Sequence, residues 1–513
     1  MTAPAAPETL RHAAGLLPGL PPAPPPLASP VALMAPVLAG AAPLPSTADA
    51  WADALPSGAE TGLALVSDGL EGFMLRAATA RAAGRTLDLQ YYRWSDDITG
   101  GLLAREVLAA ADRGVRVRLL LDDSYALGAD WRITLLSAHP RIEVRLFNTA
   151  RLRWLGQFGL GLEFALGGWH LNHRMHNKNW VADGRLALVG GRNIADAYFD
   201  AAGDFNFRDL DMLIAGQAAR QAQDAFDAYW ASSLARPVEQ FRKVAGISPA
   251  ALEDFRAELA AMPDSDKARP YLQALAARRS ALLDPGRALL PAEGEVRVLA
   301  DPPAKAKGRG IGGGMAPAVE AMLRGATREA VLISPYFVPG RNGLRLIGQL
   351  RRRGVAVTVI TNSLAATDVV AVHSGYARYR KHLLRFGVRL YELKRSGEHG
   401  SGVFGSRGAS LHTKAMLVDG QAVFVGSFNL DPRSANLNTE MGAFARHAAL
   451  GAQLRQEAER LTDPCRSWRL GLGRLRRLSW TDQNGTVHAE PDASWSRRMM
   501  ARAIRYFPLE AQL

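Results

Sequence analysis

The sequence predicts an α/β protein in which the same unit occurs twice. From about residue 51, short apolar runs alternate with amphipathic segments, which is the pattern of strands separated by helices. The same order returns downstream, so the repeat is about 240 residues long. A chain of 513 residues is long enough for two or three domains with full hydrophobic cores.

Each copy predicts three strands with helices between them. In the first copy the strands are predicted at 87–92, 115–121 and 142–147, with a helix at 101–113 and a further helix before the third strand. In the second copy the strands are predicted at 330–334, 355–361 and 388–393, with helices at 342–353 and 371–385. We therefore expect a similar α/β domain in each half.

Composition narrows the classes of function. Sixty-two Lys and Arg residues against 49 Asp and Glu give a net charge of 62 − 49 = +13, which favours a polyanionic partner, either nucleic acid or anionic lipid. The single cysteine, Cys465, excludes an intramolecular disulfide. Hydrophobic residues at 48% and charged residues at 22% are typical of a folded protein.

The segment 15–46 has no charged side chain, but ten of its residues are proline. Proline removes helical hydrogen bonds that lipid cannot replace, so a membrane-spanning helix is excluded there, and the start of the chain lacks the cationic region of a signal peptide. We expect a flexible Pro/Ala-rich tail at 1–50, an N-terminal domain at 51–235, a helical linker region at 236–290, a C-terminal domain at 291–450 and a basic amphipathic segment at 451–513.

A motif with chemical content closes each copy. The pattern H-x-K-x4-D-x6-G-[GS]-x-N occurs twice, with an offset of 412 − 176 = 236 residues throughout. Its members are His176, Lys178, Asp183, Gly191 and Asn193 in the first copy and His412, Lys414, Asp419, Ser427 and Asn429 in the second. The tracts after the lysines alternate around Asp-Gly, which predicts hairpins.

These residue types fit a phosphodiester site. Two histidines can act as nucleophile and general acid near neutral pH. The two lysines and the two asparagine amides can donate to the phosphate oxygens, where charge develops during transfer. Two copies in register make a purely structural origin for these residues a poor explanation.

The paired motif identifies the chain as resembling the phospholipase D superfamily. Longer segments around it, RMHNKNWVADGRLALVGGRNIADAYFD and GASLHTKAMLVDGQAVFVGSFNLDPRSANLNTEMG, resemble the bacterial cardiolipin synthases, above all the C-type. The resemblance extends over about residues 51–505. It implies two similar lobes, each with a mixed sheet flanked by helices, related by a pseudo-twofold axis and sharing one active site.

The resemblance also implies roles. His176 would attack phosphorus and form a phosphohistidine, and His412 would protonate the leaving alcohol and deprotonate the acceptor, although the reverse order stays open. No cofactor and no metal are expected. Each histidine needs an orienting carboxylate, which we expect to be Glu440 in the second copy and Asp209, rather than Asp204, in the first. Asp183 and Asp419 are expected to tie the turn.

Three other features of the sequence resemble functional sites. His170, His173 and His176 are spaced like metal ligands, but the second copy has Ser406 and Ala409 at the first two positions. Residues 308–314 are rich in glycine but lack the Lys-Ser/Thr of a phosphate loop. The aromatic pairs at 91–92 and 336–337 lie at matching strand ends. A role in lining the active site and plain packing in the core explain them equally well.

Two segments predict contact with a lipid surface. In 495–507, Trp495, Met499, Met500, Ala503, Tyr506 and Phe507 share one half of a helix, and four arginines share the other. The apolar tract 154–169 stands directly before the first motif. Packing of either segment on the protein's own core is the alternative.

The expected function is therefore cardiolipin synthesis by phosphatidyl transfer. The expected partners are phosphatidylglycerol, with phosphatidylethanolamine as a further donor, and an anionic membrane surface, but no nucleic acid. The resemblance implies a peripheral enzyme on the cytoplasmic face of a bacterial inner membrane. The alternatives are a phosphodiesterase that uses water, either lipase or nuclease, and a decayed scaffold.

Overall fold

The structure is a computed structural model of the full chain. It describes residues 47–512 except 56–58, 124–128, 153–154, 167, 242–247, 279, 284–288, 310–312, 396–401, 407, 474–475 and 508–511. Residues 1–46 of the predicted tail lie outside the described residues, as does the middle of the glycine-rich stretch at 308–314.

A mixed sheet forms the first lobe. Its strands, together with the short β7, are β1 Thr61–Val66, β2 Thr86–Tyr91, β3 Arg116–Asp122, β4 Ile142–Phe147, β5 Asn179–Ala182, β6 Leu186–Gly190, β7 Asn206–Arg208, β8 Asp211–Gly216, β9 Ala235–Pro237 and β10 Leu290–Pro291. Among the described residues the sheet order is β10-β1-β8-β6-β5-β2-β3-β4-β9. Within this sheet β2, β3 and β4 run parallel and the other neighbouring strands pair antiparallel, while β7 lies outside it.

A second mixed sheet repeats this plan. Its strands, together with the short β15, are β11 Val296–Ala300, β12 Glu329–Ile333, β13 Ala356–Asn362, β14 Arg389–Leu393, β15 Ala409–Leu411, β16 Ala415–Val418, β17 Ala422–Gly426, β18 Met441–Arg446, β19 Ser467–Leu472, β20 Leu478–Asp482 and β21 Gly485–Val487. The order in the part that the structure describes is β11-β18-β17-β16-β12-β13-β14-β19-β20-β21. In this order the eight strands from β11 through to β19 correspond one by one to the eight strands from β1 through to β9 in the first sheet. The correspondence confirms the predicted duplication.

The α-helices flank the sheets. They are α1 Ala48–Asp53, α2 Gly69–Ala82, α3 Ile98–Asp112, α4 Gly156–Ala165, α5 Ala219–Trp230, α6 Pro249–Ala261, α7 Arg269–Ala277, α8 Met315–Arg324, α9 Gly340–Arg352, α10 Val370–Ala377, α11 Arg380–Arg385, α12 Pro432–Asn436, α13 Ala448–Thr462 and α14 Trp495–Ile504. Asp68 and Asp97 accept hydrogen bonds from the first turns of α2 and α3 and so cap them.

The predicted strands lie within one or two residues of the observed ones, and 142–147 coincides with β4. The helix predicted at 371–385 is two helices, α10 and α11, because the chain turns at 378–379. Between β3 and β4 the described residues contain a 3₁₀ helix, Ala129–Ala138. The linker region 236–290 contains α6 and α7, and part of the segment 451–513 forms β19–β21.

The central strands of each sheet are buried on both faces. Along β6, Leu186 and Leu188 pack in the core of the first lobe, while Ala187 and Val189 pack in a central core that also contains Leu417, Val423 and Val425 of the second lobe. The alternation follows from the two-residue period of a strand. It explains why these strands are apolar at every position, and it places the two sheets against each other.

Candidate active site

Each motif folds as a hairpin whose open end points into the interface between the lobes. In the turns between β5 and β6 and between β16 and β17, the Asp-Gly residues 183–184 and 419–420 all have positive φ, between 53° and 76°. This is the backbone of a type I′ turn, which Asp-Gly favours. The sequence-predicted hairpins are therefore confirmed.

The motif aspartates lie at the closed ends of these hairpins, at the opposite end of the strand from the histidines. Asp183 accepts hydrogen bonds from the backbone N–H groups of residues 84–86, and Asp419 from those of residues 327–329. Each carboxylate thus fixes the start of the neighbouring strand, β2 or β12. This is a structural contact between the turn and the sheet.

The segments that carry the histidines run beside segments of the other lobe. Met175 pairs in parallel with Thr439, and β15, which ends at Leu411, pairs in parallel with β7, which ends at Arg208. The N–H of His176 donates to the carbonyl of Thr439 at 2.9 Å, and the N–H of His412 donates to that of Arg208 at 2.8 Å. The two contacts are reciprocal, as a twofold arrangement requires.

This register sets the histidine–carboxylate pairs across the interface. Nδ1 of His176 lies 2.8 Å from Oε2 of Glu440, and Nδ1 of His412 lies 2.5 Å from Oδ2 of Asp209. The prediction that each carboxylate orients the histidine of its own copy was wrong. Each histidine directly follows a residue that pairs with the other lobe, so the acid beside it belongs to the other copy. The choice of Asp209 over Asp204 agrees with this geometry, since Asp204 is exposed in a loop.

The difference between Gly191 and Ser427 follows from the acid that each one faces. A Cβ atom at Gly191 would lie 2.1 Å from Oδ1 of Asp209, so a side chain cannot be placed there. Glu440 is one methylene longer, and the hydroxyl of Ser427 donates to its Oε2. Ser434 donates to Oε1 of the same carboxylate at 2.9 Å. The short Asp209 therefore requires glycine at the facing position, whereas the longer Glu440 leaves room for a serine that bonds to it.

Burial keeps both imidazoles neutral. It lowers the pKa of His176 to about 4, although the Glu440 carboxylate opposes this, and it lowers that of His412 well below its usual range, with Lys414 and Lys178 lowering it further. With Nδ1–H donating to a carboxylate, Nε2 of each ring carries the lone pair. A neutral imidazole with a free Nε2 can attack an electrophile or accept a proton.

The two lysines are buried beside the histidines. Nζ of Lys178 donates to the carbonyl of His176 at 2.7 Å, and Nζ of Lys414 donates to that of His412. Burial lowers the pKa of Lys414 to about 8 and that of Lys178 well below its usual range. An anionic substrate would favour the charged form of each amine. Both amines would then donate hydrogen bonds to it.

Two asparagines and a tyrosine belong to the same site. The amide of Asn193 donates to the phenol oxygen of Tyr198 at 3.0 Å, and that oxygen lies 3.5 Å from Nε2 of His412. Oδ1 of Asn429 is buried without a hydrogen-bond partner in the described residues. Sequence reasoning missed Tyr198, because it kept only residues shared by both copies and Ser434 stands at the equivalent position.

The metal-like histidine spacing does not form a cluster. Nε2 of His170 faces Glu163 at 3.3 Å, Nδ1 of His173 faces the carbonyl of Leu437 at 2.9 Å, and His176 faces Glu440. Among the described residues no group of three or more His, Cys, Asp or Glu side chains is placed to hold a metal ion.

We expect turnover to be independent of divalent metal. The lysine and asparagine donors would meet the charge of a phosphate group, so a chelator should leave the initial rate unchanged. The rate is measured with and without chelator on the same substrate. A tenfold fall that zinc or magnesium reverses would contradict this expectation.

A family model described as cardiolipin synthase, PLD-like domain, matches residues 77–230 and 319–462, and each match contains one hairpin and one of the two acids. The chain belongs to this phospholipase D-like family.

Members of the family resemble the chain over most of its length. Cardiolipin synthase C of Escherichia coli (strain K12) is 41% identical over 464 residues, which are 88% of this chain and 96% of the relative. Cardiolipin synthase A of Pseudomonas entomophila (strain L48) is 27% identical, over 78% and 68% of the two chains. The fold is that of phosphatidylserine synthase from Haemophilus influenzae Rd KW20, with a TM-score of 0.54 and 15% identity over 80% of this chain and 87% of that one.

Proposed function

We propose that the protein is a cardiolipin synthase that moves a phosphatidyl group from one phospholipid to the glycerol hydroxyl of phosphatidylglycerol. The observation that carries the proposal is the buried cluster of two neutral imidazoles and two amines from opposite lobes, in a chain that is 41% identical to Cardiolipin synthase C. Phosphatidylethanolamine is a further candidate donor.

The proposed reaction has two steps. Nε2 of His176 forms a bond to phosphorus while the bond from phosphorus to the leaving alcohol oxygen breaks, and His412, protonated once the anionic substrate is bound, gives that oxygen its proton. In the second step the acceptor hydroxyl passes its proton to His412, its oxygen attacks phosphorus and the P–N bond breaks. Lys178, Lys414, Asn193 and Asn429 stabilise the charge on the other phosphate oxygens.

The two carboxylates support this order of the histidines. Burial alone would raise the pKa of Glu440, but His176 and the neighbouring Lys178 outweigh burial, and the pKa is lowered. The pKa of Asp209 is raised, because burial outweighs the opposite effect of Lys414. An ionised Glu440 with three donors stabilises positive charge on the ring that becomes phosphorylated. His176 is therefore the better candidate for the nucleophile.

The test is expression in a bacterium that lacks cardiolipin, followed by separation of its lipids. Cardiolipin should appear with the intact protein and stay absent with a His176→Ala variant made at the same level. Accumulation of phosphatidic acid alone would show water as the acceptor. Cleavage of nucleic acid with no change in lipids would indicate a nuclease.

Two exposed apolar surfaces support a peripheral position on a membrane. On α4 and directly after it, Phe158, Leu162 and Leu166 recur every four residues and are exposed, the first and last at 74%. On α14, Trp495, Met499 and Met500 are exposed. No helix in the described part of the chain is long and apolar enough to cross a bilayer.

Contacts link the segments that carry these two surfaces. Helix α14 packs on the segment 364–370 through Ala501, and Gln512, which follows it, contacts Asn172, which follows α4 and precedes the first motif. Arg497 and Arg498 donate to backbone carbonyls, so the predicted division into a basic and an apolar face is only partly met. Arg502 and Arg505 remain exposed beside the apolar side chains and fit anionic headgroups.

We expect the combined change Trp495→Ser, Met499→Ser and Met500→Ser to weaken binding to anionic vesicles by about tenfold or more, because apolar contact with the interface is lost. The ratio of cardiolipin to phosphatidic acid should fall, since a site lifted from the bilayer admits water. Vesicle co-sedimentation and product analysis measure the two effects. Val487→Ser, an exposed apolar change on β21, is the control and should alter neither; equal binding by the triple variant would contradict a membrane role for α14.

A further inference from the structure

An acid near the site is not explained by phosphate chemistry. Asp368 lies in the loop between β13 and α10, it is exposed, and its charge acts on His412 and Lys414. Two buried lysines prepare the site for a phosphate, and a carboxylate near them would repel that phosphate. An acceptor-only group in such a place suits the part of a ligand that carries hydrogen-bond donors.

The backbone places Asp368 on the His412 side of the site. The loop begins after Asn362, whose side chain exchanges two hydrogen bonds with Leu411, the residue before His412. The carboxyl ends of the parallel strands β12 and β13 meet at this edge of the sheet, which is where ligands bind in α/β folds.

The same edge carries a tyrosine that holds the carboxylate. The phenol of Tyr336 donates to Oδ2 of Asp368 at 2.7 Å. Tyr336 is fixed in turn, because its carbonyl accepts from the hydroxyl of Ser334, which accepts from the N–H of Leu430, the residue after Asn429. Oδ1 of Asp368 accepts no hydrogen bond from any described residue. The carboxylate is thus oriented through one oxygen and open through the other.

Electrostatics agrees with this position. The pKa of His412 is lowered by burial and then by the two lysines, and Asp368 acts in the opposite direction. Burial raises the pKa of Tyr336 well above its usual range, and Asp368 raises it further, so the phenol remains a donor.

We propose that Asp368 is a specificity-determining residue that accepts hydrogen bonds from the hydroxyl groups of the acceptor, so that the acceptor is a polyol such as a glycerol headgroup. The proposal rests on the proposed function, because it concerns the alcohol that His412 activates. Water and simple alcohols have no second hydroxyl to place on Oδ1. A site built to bind a hydroxyl discriminates against ligands that lack it.

The test compares two soluble acceptors that differ only by hydroxyl groups. Vesicles of phosphatidylglycerol are incubated with isotopically labelled glycerol or 1-propanol, and the labelled lipids are quantified. We expect Asp368→Ala to lower the ratio of glycerol transfer to propanol transfer by about tenfold, because the effect of the lost charge on His412 is common to both acceptors and cancels in the ratio. Tyr336→Phe should lower the ratio less, because the carboxylate remains and loses only the hydrogen bond that orients it.

Asp254→Asn on α6 removes one exposed charge away from the site and serves as the control. An unchanged ratio in Asp368→Ala, or an equal fall with both acceptors, would overturn the proposal. Labelled phosphatidylglycerol without any cardiolipin from the intact protein would refute the proposed function while the role of Asp368 stands. Absence of transfer to either alcohol by the intact protein would refute both.

Discussion

Turnover is expected to fall by more than about 10⁴-fold in His176→Ala and by about 10²–10⁴-fold in His412→Ala, with the fold intact. In the proposed mechanism the first change removes the nucleophile, and the second removes the group that moves the proton. Both rings are almost completely buried, so circular dichroism and thermal unfolding must accompany the rate measurement. His382→Ala, an exposed histidine on α11, is the matched control and should keep full activity.

Covalent labelling separates the two roles. When turnover of lipid with a labelled phosphatidyl group is stopped with acid, the label should be found on the intact protein and should persist in His412→Ala, where the second step is slow. It should be absent in His176→Ala. Label that survives only in His176→Ala would reverse the order of the two histidines, and activity of more than a few per cent in either variant would refute the two-histidine mechanism.

The crossed carboxylates give the second large effect. We expect Glu440→Gln to slow formation of the labelled intermediate by about 10²–10³-fold, because the ring of His176 loses its ionised partner. Asp209→Asn should slow the release of the label through His412 and leave its formation less affected. Rapid-quench measurement of the burst and of the steady state distinguishes the two steps.

Asp204→Asn is the control for both changes. Asp204 stands eleven residues after Asn193, as Glu440 does after Asn429, but it lies exposed in a loop, and its replacement should have no effect. If instead Asp209→Asn blocked formation of the label while Glu440→Gln spared it, the crossed pairs would not govern the chemistry.

The sequence predicted most of the fold because strands and hairpins are local patterns. The alternation in β5, β6, β16 and β17 and the Asp-Gly turns depend on neighbours a few residues apart, so they are readable from one chain. The split between α10 and α11 was missed because periodicity alone does not register a turn of two residues.

The sequence predicted which residues form the site but not which carboxylate contacts which histidine. Repetition selected His176, His412 and both lysines, since they recur at a constant offset. It could not show that Glu440 reaches His176, because that contact depends on how two separate sheets pack. The same selection passed over Tyr198 and Asp368, whose counterparts in the other copy differ or lie outside the described residues.

The exchange of carboxylates between the lobes makes each half depend on the other. A lobe that moved away from its neighbour would lose the acid that orients its own histidine, so the packing between the two sheets is a condition for the chemistry. The halves of this duplicated chain are therefore free to specialise, as Gly191 and Ser427 show, but they are not free to separate.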